Sequence, residues 1–328
     1  MIPETTPAAA PPPPPGPVGH PAVRSFFYLV AFVLAQGLTF GAVLLAVKQL
    51  GWRAPTSEGH VALLLFALSA PAVYGVTLLF LRVLDRRDLA SLGARWPDGG
   101  VRRAWRQAWT APLATLAVLG VWMAAVEGLP LSDVEIEGLA PAVITVGGAL
   151  QLLVLLPAFL LQGGIEEWVF RGYVFRALKE RWSWWAAALA SSAAFGLLHS
   201  VNPNVTVAAV VNTCLAGFVL ALLVERSGSL WSATLAHGVW NFGVASLASL
   251  PVSGVKVARL LDVGVTGPPE ITGAAFGPEG SLVLTALSIP LVLLLWPRHP
   301  ARPGNRPTPG ETAVSSEEDR NVVPDGGA

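Results

Sequence analysis

The sequence is poor in charge and has almost no cysteine. Asp, Glu, Lys and Arg make up 13% of its 328 residues, whereas a soluble domain has about 25%. The single cysteine, Cys214, lies in an apolar run, which excludes an intrachain disulfide and a cysteine-based zinc cluster. The formal net charge is zero, so the composition gives no reason to expect a nucleic-acid partner. A chain with so few charges is suited to lipid rather than to water.

Long apolar runs take the place of the missing charges. Hydrophobic residues make up 53% of the chain, and many of the 12 tryptophans lie at the ends of apolar runs, where membrane proteins place interfacial anchors. A spanning helix needs about 20 apolar residues. We therefore predict an all-α fold, a polytopic transmembrane helical bundle with about eight spans. The predicted spans are residues 26–47, 61–82, 109–128, 142–165, 184–200, 205–224, 230–250 and 281–296.

The two ends of the chain differ in composition from the part between them. Residues 1–22 contain a run of prolines and are predicted to form a disordered arm. Residues 298–328 are rich in Pro, Gly, Ser and acidic residues and are predicted to form a disordered tail. The predicted transmembrane domain is therefore a single domain that comprises residues 23–297.

The distribution of Lys and Arg predicts the orientation in the membrane. The 83–108 connector, the 171–183 segment and the C-terminal tail are rich in basic residues, whereas the 129–141 connector carries only acidic charges. Because Lys and Arg concentrate on the cytoplasmic side, we predict that both termini lie in the cytoplasm. We expect a multi-pass protein of the cell membrane.

Three apolar segments carry polar groups that are costly inside a membrane, and such groups usually serve a function. The groups are Glu166, Glu167, Arg171, His199, His237 and Asn241. Glu167 and Arg171 are four residues apart, so they share a helix face and can form a buried ion pair. Each histidine is also compatible with a simple interhelical hydrogen bond. Polar groups on three helices should nevertheless converge, because convergence lets them satisfy one another.

A convergent set of carboxylate, imidazole and carboxamide groups supports hydrolysis. The carboxylate can take a proton from water, and a nearby imidazole can hold that water or pass the proton to the leaving amine. A second imidazole and a carboxamide can donate hydrogen bonds to a developing oxyanion, each worth about 3–4 kcal/mol. We expect catalysis without a metal, since zinc would require Glu166, His199 and His237 to converge closely.

The ordered motifs Glu-Glu-x-x-x-Arg, Phe-x-x-x-His and His-x-x-x-Asn resemble those of the CAAX prenyl protease, bacteriocin-processing and abortive-infection family of intramembrane proteases. The resemblance covers roughly residues 80–245. Each motif alone is weak evidence, but all three occur here in order and on separate apolar segments. The resemblance implies that Glu167 and Arg171 organise their end of the helix.

The resemblance also implies roles for the other four residues. Glu166 would be the general base for the catalytic water, with His199 assisting. His237 and Asn241 would form the oxyanion site. The expected partners are the lipid bilayer and a hydrophobic or lipidated, CAAX-like peptide or protein substrate, with no nucleic acid. The family is often described as metalloproteases, so zinc bound by Glu166, His199 and His237 stays an alternative.

Other classes of protein stay open on the sequence alone. A non-catalytic membrane scaffold or a bacteriocin-immunity protein would keep the polar cluster for packing or for binding a peptide. A transporter would show internal repeats, and the sequence has none that stands out; Asn212 and Pro290 are only weak indications. Gly-x-Ser-Gly, His-Glu-x-x-His and Gly-x-Gly-Asp motifs are absent, which argues against the other known types of intramembrane protease.

Overall fold

Eight long helices dominate the computed structural model, which describes residues 18–51, 58–94, 100–139, 146–257 and 261–297. They are α1 (Pro21–Gln49), α2 (Glu58–Leu79), α3 (Gly100–Glu127), α4 (Val146–Glu167), α5 (Trp184–Leu198), α6 (Val207–Ser227), α7 (Leu230–Phe242) and α8 (Leu282–Leu295). Three of them continue as π-helices, which are Phe80–Asp85 after α2, Trp168–Val174 after α4 and Gly243–Leu247 after α7. A final turn, Phe175–Leu178, follows the second of these. Each long helix overlaps one predicted span.

The sequence explains where several helices begin and end. The side chains of Thr206 and Ser281 accept hydrogen bonds from the first-turn amides of α6 and α8, so they act as N-caps. α6 ends at Gly228, whose φ of 70° lies in the left-handed region that glycine adopts without strain. α1 begins at Pro21, a residue type that fits the first turn because its missing N–H has no helical partner there.

Within the described residues, five helical segments are long and apolar enough to cross a membrane. They are Pro21–Gln49, Val61–Asp85, Trp109–Glu127, Leu153–Leu178 and Val207–Ser227. α8 is apolar but shorter, and α5 and α7 contain 15 and 13 residues. The chain is therefore a multi-pass helical membrane protein, as predicted.

The fourth span differs in position from the prediction. The sequence placed it at residues 142–165, of which 142–145 lie outside the described residues, whereas the spanning stretch is Leu153–Leu178. The prediction that the charged segment continues this helix is confirmed. Glu166 consequently lies near the middle of the span. The span passes through the charged residues because Glu167 and Arg171 are fully buried and paired.

The helices pack so that α4 occupies a central position. α4 contacts α2 and α7, α7 also contacts α3, and α6 contacts both α5 and α8. Leu155 and Phe159 of α4 belong to one cluster of buried apolar residues, whereas the residues from Ile165 onward belong to a second cluster. The stretch between Phe159 and Ile165 therefore lies where the two clusters meet.

A network of ion pairs joins the ends of three helices. Arg24, near the start of α1, pairs with Asp85 at the end of the π-helix after α2 and with Glu180, which follows the final turn after α4. Glu180 also pairs with Arg87, with 2.9 Å between Oε1 and Nη1. Arg24 and Asp85 are almost completely buried, so the network fixes these helix ends next to one another.

The all-α prediction omitted a short antiparallel ribbon. β1 (Asp133–Leu139) pairs with β2 (Leu261–Thr266), with a bulge between Ile136 and Gly138. The sequence around β1 alternates charged and aliphatic residues, a pattern typical of a strand with one face exposed, but only its charge was used in the prediction.

The two predicted disordered ends are largely outside the described residues. The predicted arm (1–22) lies outside them up to residue 17, and the predicted tail (298–328) lies outside them entirely.

Candidate active site

All six predicted site residues lie together where three helices meet. α4 and its π-helical continuation supply three, the end of α5 one and α7 two; they are Glu166, Glu167, Arg171, His199, His237 and Asn241. Five of the six are buried, and the His199 side chain is 17% exposed. α5 changes into a 3-10 turn at His199, so the far end of a helix presents this imidazole to the middle of the Leu153–Leu178 span.

Glu167 joins Arg171 to His237. Its Oε1 accepts hydrogen bonds from Arg171 Nη1 at 2.9 Å and from His237 Nδ1 at 2.9 Å. The guanidinium carbon of Arg171 also lies 4.5 Å from the centre of the Phe195 ring, a favourable cation–π distance. Glu167 therefore fixes the imidazole of His237 with Nε2 turned toward Glu166.

The Oε2 atom of Glu166 faces both histidines. It lies 3.6 Å from His237 Nε2 and 4.0 Å from His199 Nε2. The Nδ1 of His199 donates to the carbonyl of Phe195 at 2.8 Å, so in the neutral form the Nε2 of each histidine is an acceptor. Glu166 Oε2 is buried and has no hydrogen-bond partner among the described residues. A water molecule at about 2.8 Å from each of the three atoms can donate its two hydrogens to Glu166 Oε2 and His199 Nε2, and it can accept a hydrogen bond from His237 Nε2 when that imidazole is protonated.

Gln162 connects Glu166 to Asn241, and the sequence analysis missed it. The Nε2 of Gln162 donates to Glu166 Oε1 at 2.5 Å, and its Oε1 accepts from Asn241 Nδ2 at 2.8 Å. One hydrogen of the Asn241 carboxamide is therefore engaged, and the second is left for another acceptor. Gln162 precedes Glu166 by four residues in an apolar run, and this helical spacing is the signal that could have identified it.

Two glycines bring α4 and α7 close together at the site. A Cβ at Gly163 would lie 3.0 Å from the backbone nitrogen of Gly238, and a Cβ at Gly238 would lie 2.8 Å from the Cα of Leu160. Neither position has room for a side chain. This close approach brings His237 and Asn241 within reach of the α4 side chains.

The site opens into a cavity of about 490 Å³ that extends to α1 and α2. Glu166, His199, His237 and Asn241 contribute to its wall. Apolar side chains contribute much of the remaining wall, including Phe32, Phe40, Leu63, Phe66, Phe159 and Val257. A smaller cavity of about 140 Å³ shares the two histidines and Asn241 with the first but not Glu166. The larger cavity could therefore hold an apolar ligand beside the carboxylate.

A buried carboxylate outside the predicted set supports α7. Glu279 Oε1 accepts a hydrogen bond from Trp240 Nε1 at 2.8 Å, and Glu279 Oε2 accepts from the backbone nitrogen and the Oγ of Ser253, both at 2.7 Å. Glu279 was not predicted from the sequence because it lies in a Gly-Pro-Glu-Gly string that is typical of an exposed turn. Because Trp240 immediately precedes Asn241, Glu279 helps to hold this part of α7.

The arrangement fits water more closely than zinc. Donor atoms around tetrahedral zinc lie about 2.0–2.2 Å from the metal, which places them about 3.4 Å from one another. Glu166 Oε2 is further than this from both His237 Nε2 and His199 Nε2, at 3.6 and 4.0 Å. Among the residues that the structure describes, no three His, Cys, Asp or Glu side chains are arranged to hold a metal ion.

One comparison with known proteins bears on this site. Residues 148–243 match the family model described as Rce1-like, type II CAAX prenyl endopeptidase. No curated protein matches the chain. The matched segment contains all six predicted residues and Gln162, whereas α1, α2, α3 and α8 lie outside it. Residues 148–243 are therefore similar to the Rce1-like family of type II CAAX prenyl endopeptidases, and this match supports the resemblance found in the sequence.

Proposed function

We propose that the chain is an intramembrane endopeptidase that hydrolyses a peptide bond in a hydrophobic or lipidated, CAAX-like peptide or protein. The observation that carries this proposal is that the unpartnered Glu166 Oε2 lies 3.6 and 4.0 Å from two histidine Nε2 atoms. One water molecule can donate to Glu166 Oε2 and His199 Nε2 and accept from the protonated Nε2 of His237, beside a cavity with apolar walls. The match to the Rce1-like family supports the same reaction class.

Glu166 acts as the general base in the proposed mechanism. The water between Glu166 Oε2 and the histidines attacks the carbonyl carbon of the scissile bond, while Glu166 accepts one of its protons. A carbon–oxygen bond forms and a tetrahedral intermediate results. When this intermediate collapses, the carbon–nitrogen bond breaks, and the proton passes from Glu166 through His199 to the leaving amine.

His237 and Asn241 stabilise the oxyanion of that intermediate. Asn241 donates the hydrogen of its carboxamide that Gln162 does not engage. His237 donates from Nε2 in its imidazolium form, which the carboxylate of Glu167 at Nδ1 stabilises. Loss of one oxyanion donor typically lowers kcat by about 100- to 1,000-fold. Glu167 and Arg171 act as positioning residues for His237.

We further propose that this reaction needs no metal. The separations of Glu166 Oε2 from the two Nε2 atoms, 3.6 and 4.0 Å, suit hydrogen bonds through a shared water. The water needs only a base and an oriented site, which Glu166 and the two histidines provide. A zinc-dependent reaction would require these side chains to move closer together.

The proposal includes eight crossings of the cell membrane, with both termini in the cytoplasm. The ion pairs of Arg24 with Asp85 and Glu180 support it, because they put the start of α1 on the same side as the ends of the second and fourth crossings. Lys179 pairs with Glu225 near the end of α6, the sixth crossing. In a chain that crosses the membrane eight times, the first crossing begins on the same side as the second, fourth and sixth crossings end. These ion pairs agree with that alternation.

Cleavage of a quenched fluorescent farnesylated CAAX peptide by the detergent-purified protein tests the proposal. Wild type, Glu166→Gln and the matched control Glu127→Gln are compared with and without a zinc chelator. Glu127 is exposed and accepts a hydrogen bond from Val134 N, outside both cavities. We expect chelator-resistant cleavage by wild type and the control, and none by Glu166→Gln.

Two results would contradict the proposal in different ways. Chelator-sensitive cleavage would move Glu166, His199 and His237 into a zinc site. Failure of a well-folded wild type to cleave this peptide, or any of a panel of hydrophobic peptides, would favour the non-catalytic scaffold or immunity protein.

A further inference from the structure

One face of α1 contributes a polar side chain to the larger cavity. Phe32, Gln36 and Phe40 follow one another at four-residue spacing and all three line that cavity. Phe32 packs edge-to-face on Phe170 and Phe40 on Phe66, with ring centres 6.4 and 5.8 Å apart. The two aromatic contacts hold this face of α1 in place, so Gln36 has a defined position across the cavity.

The carboxamide oxygen of Gln36 lacks a partner. Its Oε1 is buried and accepts no hydrogen bond from any of the residues that the structure describes. By contrast, Thr39 on the same helix donates its hydroxyl to the carbonyl of Ala35 at 2.8 Å. A buried polar atom without a hydrogen bond is costly, and more so in a membrane. A flexible side chain that lines a cavity and carries an unsatisfied acceptor is therefore suited to a ligand that brings a donor, because rotation about its terminal torsion can turn the oxygen toward that ligand.

We propose that Gln36 positions the substrate by accepting a hydrogen bond from a backbone N–H of the bound peptide. This inference rests on the proposed function, because it identifies the ligand with the peptide that Glu166 attacks. A peptide in an apolar cavity loses its water partners, and each N–H without a replacement carries a penalty. Gln36 replaces one of them and so sets how far the chain lies from Glu166.

The residue is assigned to positioning and not to catalysis, since it touches the peptide backbone away from the reacting atoms. α1 lies outside the segment that matches the Rce1-like family. The carboxamide therefore comes from a helix that the family match does not cover. Its oxygen recognises an amide N–H of any residue type, so Gln36 would favour an extended peptide and not a particular side chain.

Binding of a fluorescein-labelled farnesylated CAAX peptide tests the inference. The measurement uses Glu166→Gln as the background, so that the peptide stays intact, and it follows fluorescence anisotropy in detergent. Each backbone N–H near the scissile bond is replaced in turn by an ester oxygen. We expect one ester to raise the Kd about tenfold, the size of one lost hydrogen bond.

Gln36→Met, which has a similar shape but no carboxamide, should raise the Kd for the amide peptide by a similar factor. In the Gln36→Met variant, the ester that weakens binding to the background protein should raise the Kd no further. The matched control Thr39→Val should leave both the Kd and the ester effect unchanged. In the active enzyme we expect Gln36→Met to raise KM about tenfold with little change in kcat, because the lost contact binds the ground state as well as the transition state.

The inference is overturned if Gln36→Met binds the amide peptide as tightly as its background does, or if the ester effect persists in it. A wild type that cleaves no peptide, together with the expected binding pattern, would refute the hydrolytic function and leave the binding role of Gln36 in place. Normal cleavage by wild type, together with an unchanged Kd for Gln36→Met, would support the hydrolytic function and refute the binding role of Gln36.

Discussion

A single methyl group added at Gly238 should separate the two helices that form the site. A Cβ there would lie 2.8 Å from both the Cα and the Cδ2 of Leu160, whereas nonbonded carbon atoms settle at about 3.5–4.0 Å. Gly238→Ala would therefore move α7 by about 0.7 Å or more away from α4. His237 is the preceding residue, so its 2.9 Å hydrogen bond to Glu167 would lengthen past the normal range.

We expect this displacement to reduce both activity and stability. A misplacement of about 1 Å among reacting groups can cost about 100-fold in rate, so kcat should fall by about 10- to 100-fold. Overpacking of a tight contact costs about 1–3 kcal/mol, which corresponds to a fall in Tm of about 3–10 °C. The measurements are peptide cleavage and thermal unfolding in the same detergent.

Gly75→Ala provides the matched control. Gly75 also lies within a helix, α2, but a Cβ at that position would meet nothing within 4 Å. The control should keep the wild-type kcat, and its Tm should stay the same or rise, because alanine favours a helix more than glycine does. The reasoning is refuted if Gly238→Ala keeps both the kcat and the Tm of wild type, since the approach of α4 and α7 would then place no limit on the site.

Three further substitutions test the surroundings of the buried carboxylates Glu167 and Glu279. Arg171→Leu would leave Glu167 buried without its cation and should destabilise the fold by about 3–5 kcal/mol, seen as a lower Tm. Adding Glu167→Leu should recover part of that Tm but no cleavage, because His237 stays without its partner; recovery of cleavage would contradict the positioning role. Glu279→Gln replaces one acceptor oxygen with a donor and should lower the free energy of unfolding by about 1.5–3 kcal/mol, seen as a lower Tm. An unchanged Tm would show that Glu279 does not hold its loop.

The meeting of the six site residues could be predicted because each is costly alone in an apolar helix. A charge or an imidazole there needs partners, and Glu166 Oε2 and the Nε2 atoms of His199 and His237 face one another from three different helices. Gln162 gave a weaker signal, because an uncharged amide is often satisfied at a helix contact without any role in function. Its four-residue spacing from Glu166 becomes meaningful only when Asn241 is known to lie opposite.

Features that depend on pairing between distant segments could not be predicted. The ribbon joins Asp133 to Thr266, and neither strand is long or apolar enough to stand out alone. Glu279 lies in a turn-like string, and its burial results from contacts with Trp240 and Ser253. The position of Gln36 likewise depends on how α1 packs, since hydrophobic periodicity within one helix does not say which neighbour it will face.

His199, His237, Asn241 and Ser253 line both cavities, and under the proposed function this shared lining has a consequence for inhibition. A compact apolar molecule in the 140 Å³ cavity would touch both imidazoles without entering the space that Glu166 lines. By contacting the imidazoles from the smaller cavity, it would disturb the proposed position of the water while the peptide still occupied the larger cavity. Such a compound would lower the turnover at saturating substrate and would not compete for binding, so its potency would not depend on substrate concentration.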